Sequence, residues 1–153
     1  MKNVRGFTLI EVMIVLAILG VISVFAMPSI TAVIQNNRIT SETNRLVSNI
    51  NMARSEATKR STQITLTRTS SVTQAWEEGW SIYTDADAAG NTNFSASTDT
   101  LLRVADAASS GVTIRADSTS NAWLSLRPNG TLNEGGSNFT VFAICDARGE
   151  AFG

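Results

Sequence analysis

The sequence predicts an α+β protein in which a long N-terminal α-helix packs on an antiparallel β-sheet. Three observations predict it. Apolar residues are concentrated near the start, in a nearly unbroken run from Phe7 to Met27 that continues to Ile34. A polar stretch carrying one apolar stripe at helical spacing follows, to about Arg60. Beyond it, short alternating or apolar segments are separated by Gly, Pro, Asn and Asp, the pattern of strands and turns.

The first element is long enough to cross a bilayer. At ~1.5 Å per residue, a helix from Phe7 to Met27 spans about 31 Å, close to the roughly 30 Å of hydrocarbon in a membrane. Lys2 and Arg5 precede it, and positive charge on that flank keeps the head of the chain in the cytoplasm while the rest crosses. No small-x-small cleavage site follows the run, which passes through Pro28 into "SITAVI". The choice is therefore between a plain anchor and a signal cut in front of the run.

Glu11 bears on that choice. A charge at mid-bilayer costs roughly 2.5–3.5 kcal/mol on insertion scales, and less near the interface. One reading makes Glu11 a helix-start acid, stabilised by the positive end of the helix dipole. The other gives it a cationic partner in apolar surroundings. Cleavage after Gly6 would leave a free amine on Phe7, and the amine of a neighbouring copy would pair with Glu11 inside a bundle of helices. Gly20, Ser23 and Ala26 are small enough to let such helices approach closely.

Pro28 lacks an N–H and clashes with the preceding turn, so a kink or break is expected near residues 24–28. The helix then resumes. Ile39, Leu46, Ile50, Ala53 and Ala57 follow three- and four-residue steps, with Thr43 filling one gap. Arg38, Arg45, Arg54, Lys59 and Arg60 fall on the other faces and read as solvated. Arg54, Glu56, Lys59 and Arg60 are spaced for local ion pairs.

The strand candidates come next. "TQITLTRT" places Ile64 and Leu66 on one face. "GWSIYTD", "LLRVAD" and "GVTIRAD" are short strands. "AWLSLRPNGTL" reads as two strands joined by a turn at Pro128-Asn129-Gly130. "NFTVFAIC" is apolar on both faces and reads as a central buried strand.

Composition restricts the chemistry. The 153-residue chain contains no His, one Cys and a formal charge of −1. Without Lys2 and Arg5, its basic residues are further outnumbered by its 13 acidic ones. That balance argues against a phosphate-binding surface. Arg103, Arg115, Arg127 and Arg148 could form a basic patch, but Asp106, Asp117, Asp146 and Glu150 lie near them in sequence. A polar body rich in Thr, Ser, Ala and Asn and poor in Lys suits a β-rich domain in an extracytoplasmic space. Cys145 cannot close a disulfide within the chain and reads as a small apolar residue in a strand.

"DADAAGN" resembles a calcium loop through Asp85, Asp87, Gly90 and Asn91. The fifth and twelfth ligand places hold Ala89 and Ala96, so it reads as a polar surface loop and no metal is expected. Trp76, Trp80 and Trp123 read as packing residues rather than base-stacking platforms. "SNFT" at 137–140 contains a glycosylation sequon that matters only in a glycosylating compartment. No Ser-His-Asp set, Cys-His pair or phosphate loop is present. Neither an enzyme nor a cofactor is expected.

"RGFTLIE" followed by a spanning apolar run resembles the class III signal of type IV prepilins and type II secretion pseudopilins. The resemblance implies that a prepilin peptidase cuts between Gly6 and Phe7, that Phe7 is N-methylated, and that Glu11 guides docking between subunits. Pro28 falls where many pilins have a helix-kinking proline. "ARSEATKR" and "W…GW.IYTDAD…N" are similar to the GspH/FimT-type minor pilins, including FimU-like proteins.

The implied organisation is a leader over 1–6, a transmembrane and assembly helix over 7–34, an amphipathic helix over 35–60 and a periplasmic head over 61–153. The implied fold is that of a type IV pilin. The implied partners are other minor and major pilins, the prepilin peptidase and the inner-membrane assembly machinery. The chain would sit in the inner membrane, head in the periplasm, before entering a pilus. Three alternatives stay open: a type II secretion pseudopilin; a DNA-uptake pilin, which the acidic balance disfavours; and a plain membrane-anchored binding protein that keeps its head uncut. Family members usually carry a further strand after the Cys-containing segment. This sequence stops at "CDARGEAFG", so either the chain is cut short or the head ends early.

Overall fold

A computed structural model describes residues 6–86, 94–117, 122–133 and 141–149, with the side chains of 24–29 left out. The chain divides into two units, residues 1–37 and 38–153.

Helix α1 runs from Leu9 to Arg60. It is continuous through Pro28, so of the kink or break expected near residues 24–28 no break occurs. Its C-terminal end is built from local chemistry. Lys59 and Arg60 lie in the last turn, where the dipole favours positive charge. Ser61 then adopts a left-handed φ of 51°, and the Thr62 N–H reaches back to the Ala57 carbonyl at 3.3 Å. This is a Schellman termination with Ser in the usual glycine place.

Among the described residues six strands follow: β1 (Gln63–Arg68), β2 (Trp80–Asp85), β3 (Leu101–Ala105), β4 (Val112–Ala116), β5 (Trp123–Leu126) and β6 (Phe142–Asp146). They form an antiparallel sheet in the order β3-β2-β1-β5 and a two-stranded antiparallel sheet of β4 and β6. Ala75 bridges Arg115, which ties the segment before β2 to β4.

Register assigns the faces. Leu66 lies opposite both Ile82 and Leu124, and Ile64 opposite Leu126. These residues are buried in one cluster with Leu46, Ala53 and Ala57 of α1 and with Trp76, Trp80, Val112 and Ile114. The helix thus packs on the sheet as expected. Trp76 and Trp80 are core residues, with Phe142 edge-on to Trp76 at 5.2 Å; Trp123 is half-buried.

The opposite face of the sheet is also buried, but polar. Asp85 accepts hydrogen bonds from Gln63 Nε2 at 3.1 Å and Thr65 Oγ1 at 2.8 Å. Thr65 also bonds Ser125, and Asn133 donates to Gln63 Oε1 at 2.9 Å.

The structure corrects several expectations. The buried stripe of α1 is Glu42, Leu46, Asn49, Ala53 and Ala57, while Ile39, Thr43 and Ile50 are only half-buried beside it. Among the described residues β6 is not a central strand: it pairs with β4 alone and is half-buried throughout. The turn at 128–130 forms, with the Gly130 N–H on the Arg127 carbonyl at 2.8 Å, but its second arm is a single bridge from Leu132 to Leu126.

Three of the arginines read as solvated tie the head together instead. Arg38 donates to the Ser110 carbonyl, Arg45 to the Asp106 carbonyl at 3.0 Å, and Arg54 to the Gly130 carbonyl at 3.1 Å. Glu42 accepts from the Ser109 N–H and hydroxyl at 2.9 and 2.7 Å and pairs with Arg45 at 2.8 Å. The loop after β3 is therefore clamped to the first turns of the head's helix. Gly79 lies beside the same strand at φ 96°, where a Cβ would stand 2.2 Å from the Ala105 carbonyl oxygen.

Candidate functional site

The N-terminal unit carries the motif residues. Gly6, Phe7 and Thr8 precede the helix, and Phe7 is 88% exposed. A side chain added to Gly6 would meet no atom within 4 Å. Nothing in the described packing of this chain calls for glycine there.

Thr8 is the N-cap. Its hydroxyl oxygen accepts the Glu11 N–H at 3.3 Å, while its own N–H and hydroxyl donate to Glu11 Oε2 at 2.8 and 2.9 Å. This reciprocal pair is a capping box, and it satisfies two backbone donors that the helix start would otherwise leave open. Glu11 Oε1 takes no hydrogen bond from the described residues. Sequence reasoning missed Thr8, although Thr-x-x-Glu ahead of an apolar run is the signature of this cap.

Beyond the cap, every large apolar side chain from Leu9 to Ile22 is about half or more exposed, on all sides of the helix. A helix apolar all round is suited to lipid or to the inside of a bundle, not to water. Gly20 has open space where a Cβ would stand, and Ser23 returns its hydroxyl to the Leu19 carbonyl at 2.7 Å. Ala26 and the Pro28 ring lie outside the described residues, as do Lys2 and Arg5. Among the described residues no helix is long and apolar enough to cross a membrane. The described side chains of the run end at Ser23, and those of residues 24–29, which would complete its length, are not among them.

The head offers no second constellation among its described residues. The basic patch that Arg103, Arg115, Arg127 and Arg148 could have formed does not assemble as free charge. Arg115 pairs with Glu77, Arg148 with Asp146 at 2.6 Å, and Arg127 donates to Asn133 at 2.7 Å; Arg103 stands exposed on β3. The Arg148 guanidinium and N–H beside Asp146 hold its carboxyl below the usual carboxylate range and raise the pKa of Arg148 in turn. Arg60 bonds Glu56 at 2.5 Å and lowers its pKa in the same way. Asp85 belongs to the buried polar network, whereas Asp87, Gly90, Asn91 and the 137–140 sequon lie outside the described residues. Cys145 is half-buried in β6, facing Thr113 across the pair.

The comparisons fall on the same two regions. Residues 1–27 match the prokaryotic N-terminal methylation motif. Residues 42–152 match the family described as type II transport protein GspH. No curated protein matches. Two crystal forms of the Pseudomonas aeruginosa type IV minor pilin FimU share the fold. The first has TM-score 0.53 and 25% identity, covering 73% of this chain and 75% of that one. The second has TM-score 0.51 and 25% identity, covering 70% and 74%.

Proposed function

We propose, from the premise that this chain belongs to the GspH family, that it is a minor type IV pilin, cut between Gly6 and Phe7 and built into a fibre through its N-terminal helix. The observation that carries the reading is the stem: an all-round apolar helix whose one acid sits in its first turn, inside a matched methylation motif. The likeness to FimU supports the minor-pilin assignment.

The mechanism is physical. As a precursor the stem lies in the inner membrane, with the head on the periplasmic side. There Thr8 supplies Glu11 with donors, which lowers the cost of holding a carboxylate next to lipid. Cleavage after Gly6 exposes the Phe7 amine, which N-methylation leaves basic. In the fibre the amine of a neighbouring subunit meets the open oxygen of Glu11, and low-dielectric surroundings strengthen the pair. The glycine at position 6 answers a need outside the described packing, namely a peptidase that must bring the scissile backbone close. Pro28 kinks the stem. By joining an early oligomer of stems, a minor subunit primes a fibre that major pilins extend. The family and fold are those of structural, non-enzymatic proteins, and the chain does no catalysis.

Mass spectrometry of the mature chain and of sheared fibres tests this. The expected chain begins at N-methylated Phe7 and is present in the fibres; Gly6→Leu leaves it uncut. An intact N-terminus in cells with active peptidase, or fibres without the subunit, would overturn the reading.

The GspH match favours a second reading, a pseudopilin of a type II secretion system with the same stem in a short periplasmic fibre. Deleting the gene separates them: loss of surface pili with secretion intact supports the pilin, and the reverse supports the pseudopilin.

A further inference from the structure

The core of the head contains a polar group that the assembly mechanism does not use. Asn49 is fully buried on the face of α1 that meets the sheet, and neither its amide nitrogen nor its amide oxygen has a hydrogen-bond partner. It lies between Leu46 and Ala53, both members of the cluster that holds Trp76 and Trp80. The indole N–H groups of Trp76 and Trp80 are also buried without partners, and the two rings stand 6.3 Å apart. Arg45, one helical turn before Asn49 and on the same side of α1, places its guanidinium 4.9 Å from the centre of the Trp80 ring. An amide donor and an amide acceptor on α1 and two indole donors thus lie unpartnered in the core that α1 shares with the sheet.

Leaving these groups dry is unfavourable, because burying an amide without a partner forfeits its hydrogen bonds to water. An internal water needs two to four polar partners, and about one such water per ~27 residues is usual in globular proteins. Apolar joints do not need one, and the other buried positions of this stripe past Glu42 are Leu46, Ala53 and Ala57.

We infer that Asn49 holds an internal water between α1 and the sheet. The water donates to the amide oxygen, and the amide nitrogen and the Trp80 indole N–H donate to the water. The joint between helix and sheet is then wet at its centre and closely packed by alanines toward its C-terminal end.

Water-selective NOE and ROE spectra of the full chain in detergent micelles test the site. Cross-peaks of long-lived water are expected at the Asn49 side-chain amide and at the Trp80 indole proton. In Asn49→Leu the Trp80 cross-peak should disappear while the core resonances persist. A Trp80 cross-peak unchanged in that variant would overturn the assignment. Should Asn49→Leu fail to fold, the wild-type spectrum decides alone: the absence of water cross-peaks at both groups would make Asn49 a dry, unpartnered amide.

Discussion

The two halves of α1 follow different rules within one element. Up to Asn37 the described large apolar side chains stand exposed all round, and the one charged group among the described residues is Glu11 in its cap with Thr8. From Arg38 onward the helix has a single buried stripe, and two of its five buried residues, Glu42 and Asn49, are polar. The described large apolar side chains of the first half are not buried, so their surroundings must supply a partner. The second half is fixed by particular partners: Ser109 for Glu42, the loop carbonyls for Arg38 and Arg45, Gly130 for Arg54. The difference separates what the chain needs in order to fold from what it needs in order to assemble, and substitutions can break one without the other.

The largest effect on folding is expected at Gly79. An alanine there must hold a left-handed backbone and place its Cβ against the Ala105 carbonyl, costing about 3 kcal/mol. The head should melt earlier, while cleavage after Gly6, which depends on the other half, stays normal. An unchanged melting temperature would mean that the backbone beside β3 gives way easily.

Glu42→Ala comes next. It removes a buried acceptor from the Ser109 N–H and hydroxyl and a partner from Arg45, for about 2 kcal/mol. Chemical denaturation would measure the loss, and amide exchange should rise first at residues 106–110.

Thr8→Val acts on the other half. It deletes the cap hydroxyl, worth about 1 kcal/mol of helix stability. Exchange should increase in the first turn of α1 with no shift in the melting of the head.

The smallest effect is the pH dependence of the surface pairs. Arg60 and Arg148 lower the carboxyl pKa values of Glu56 and Asp146 in the folded chain. Their contribution is present above the ordinary carboxylate pKa and fades as pH falls through the lowered folded values. NMR titration should find both carboxyls ionised below the range of an unpaired acid. Ordinary titration of both would remove the pairs from the account.

The same division explains what the sequence could reveal. The stem was legible because its signals are local: a basic head, Gly-Phe-Thr-Leu-Ile-Glu and one apolar run. The helix end near Arg60 and most strand positions were legible from periodicity for the same reason. Strand pairing was not, because β6 was read by its apolar content although its partner, β4, lies some thirty residues away. The centre of the buried helix face was missed because Glu42 and Asn49 are polar, and only the tertiary contacts of Glu42 make its burial affordable. The polar network of Asp85, Gln63, Thr65 and Ser125 was hidden likewise: it joins three strands that pattern reading treats separately.

The most direct measurement is the amount of cleaved Glu11→Val subunit in purified fibres relative to wild type, with membrane insertion and cleavage checked in the same cells. The account predicts normal insertion and cleavage but at least about a tenfold drop in fibre incorporation, equivalent to roughly 1.4 kcal/mol of lost docking free energy. Incorporation equal to wild type would contradict it and leave Glu11 as the acid of a helix cap alone.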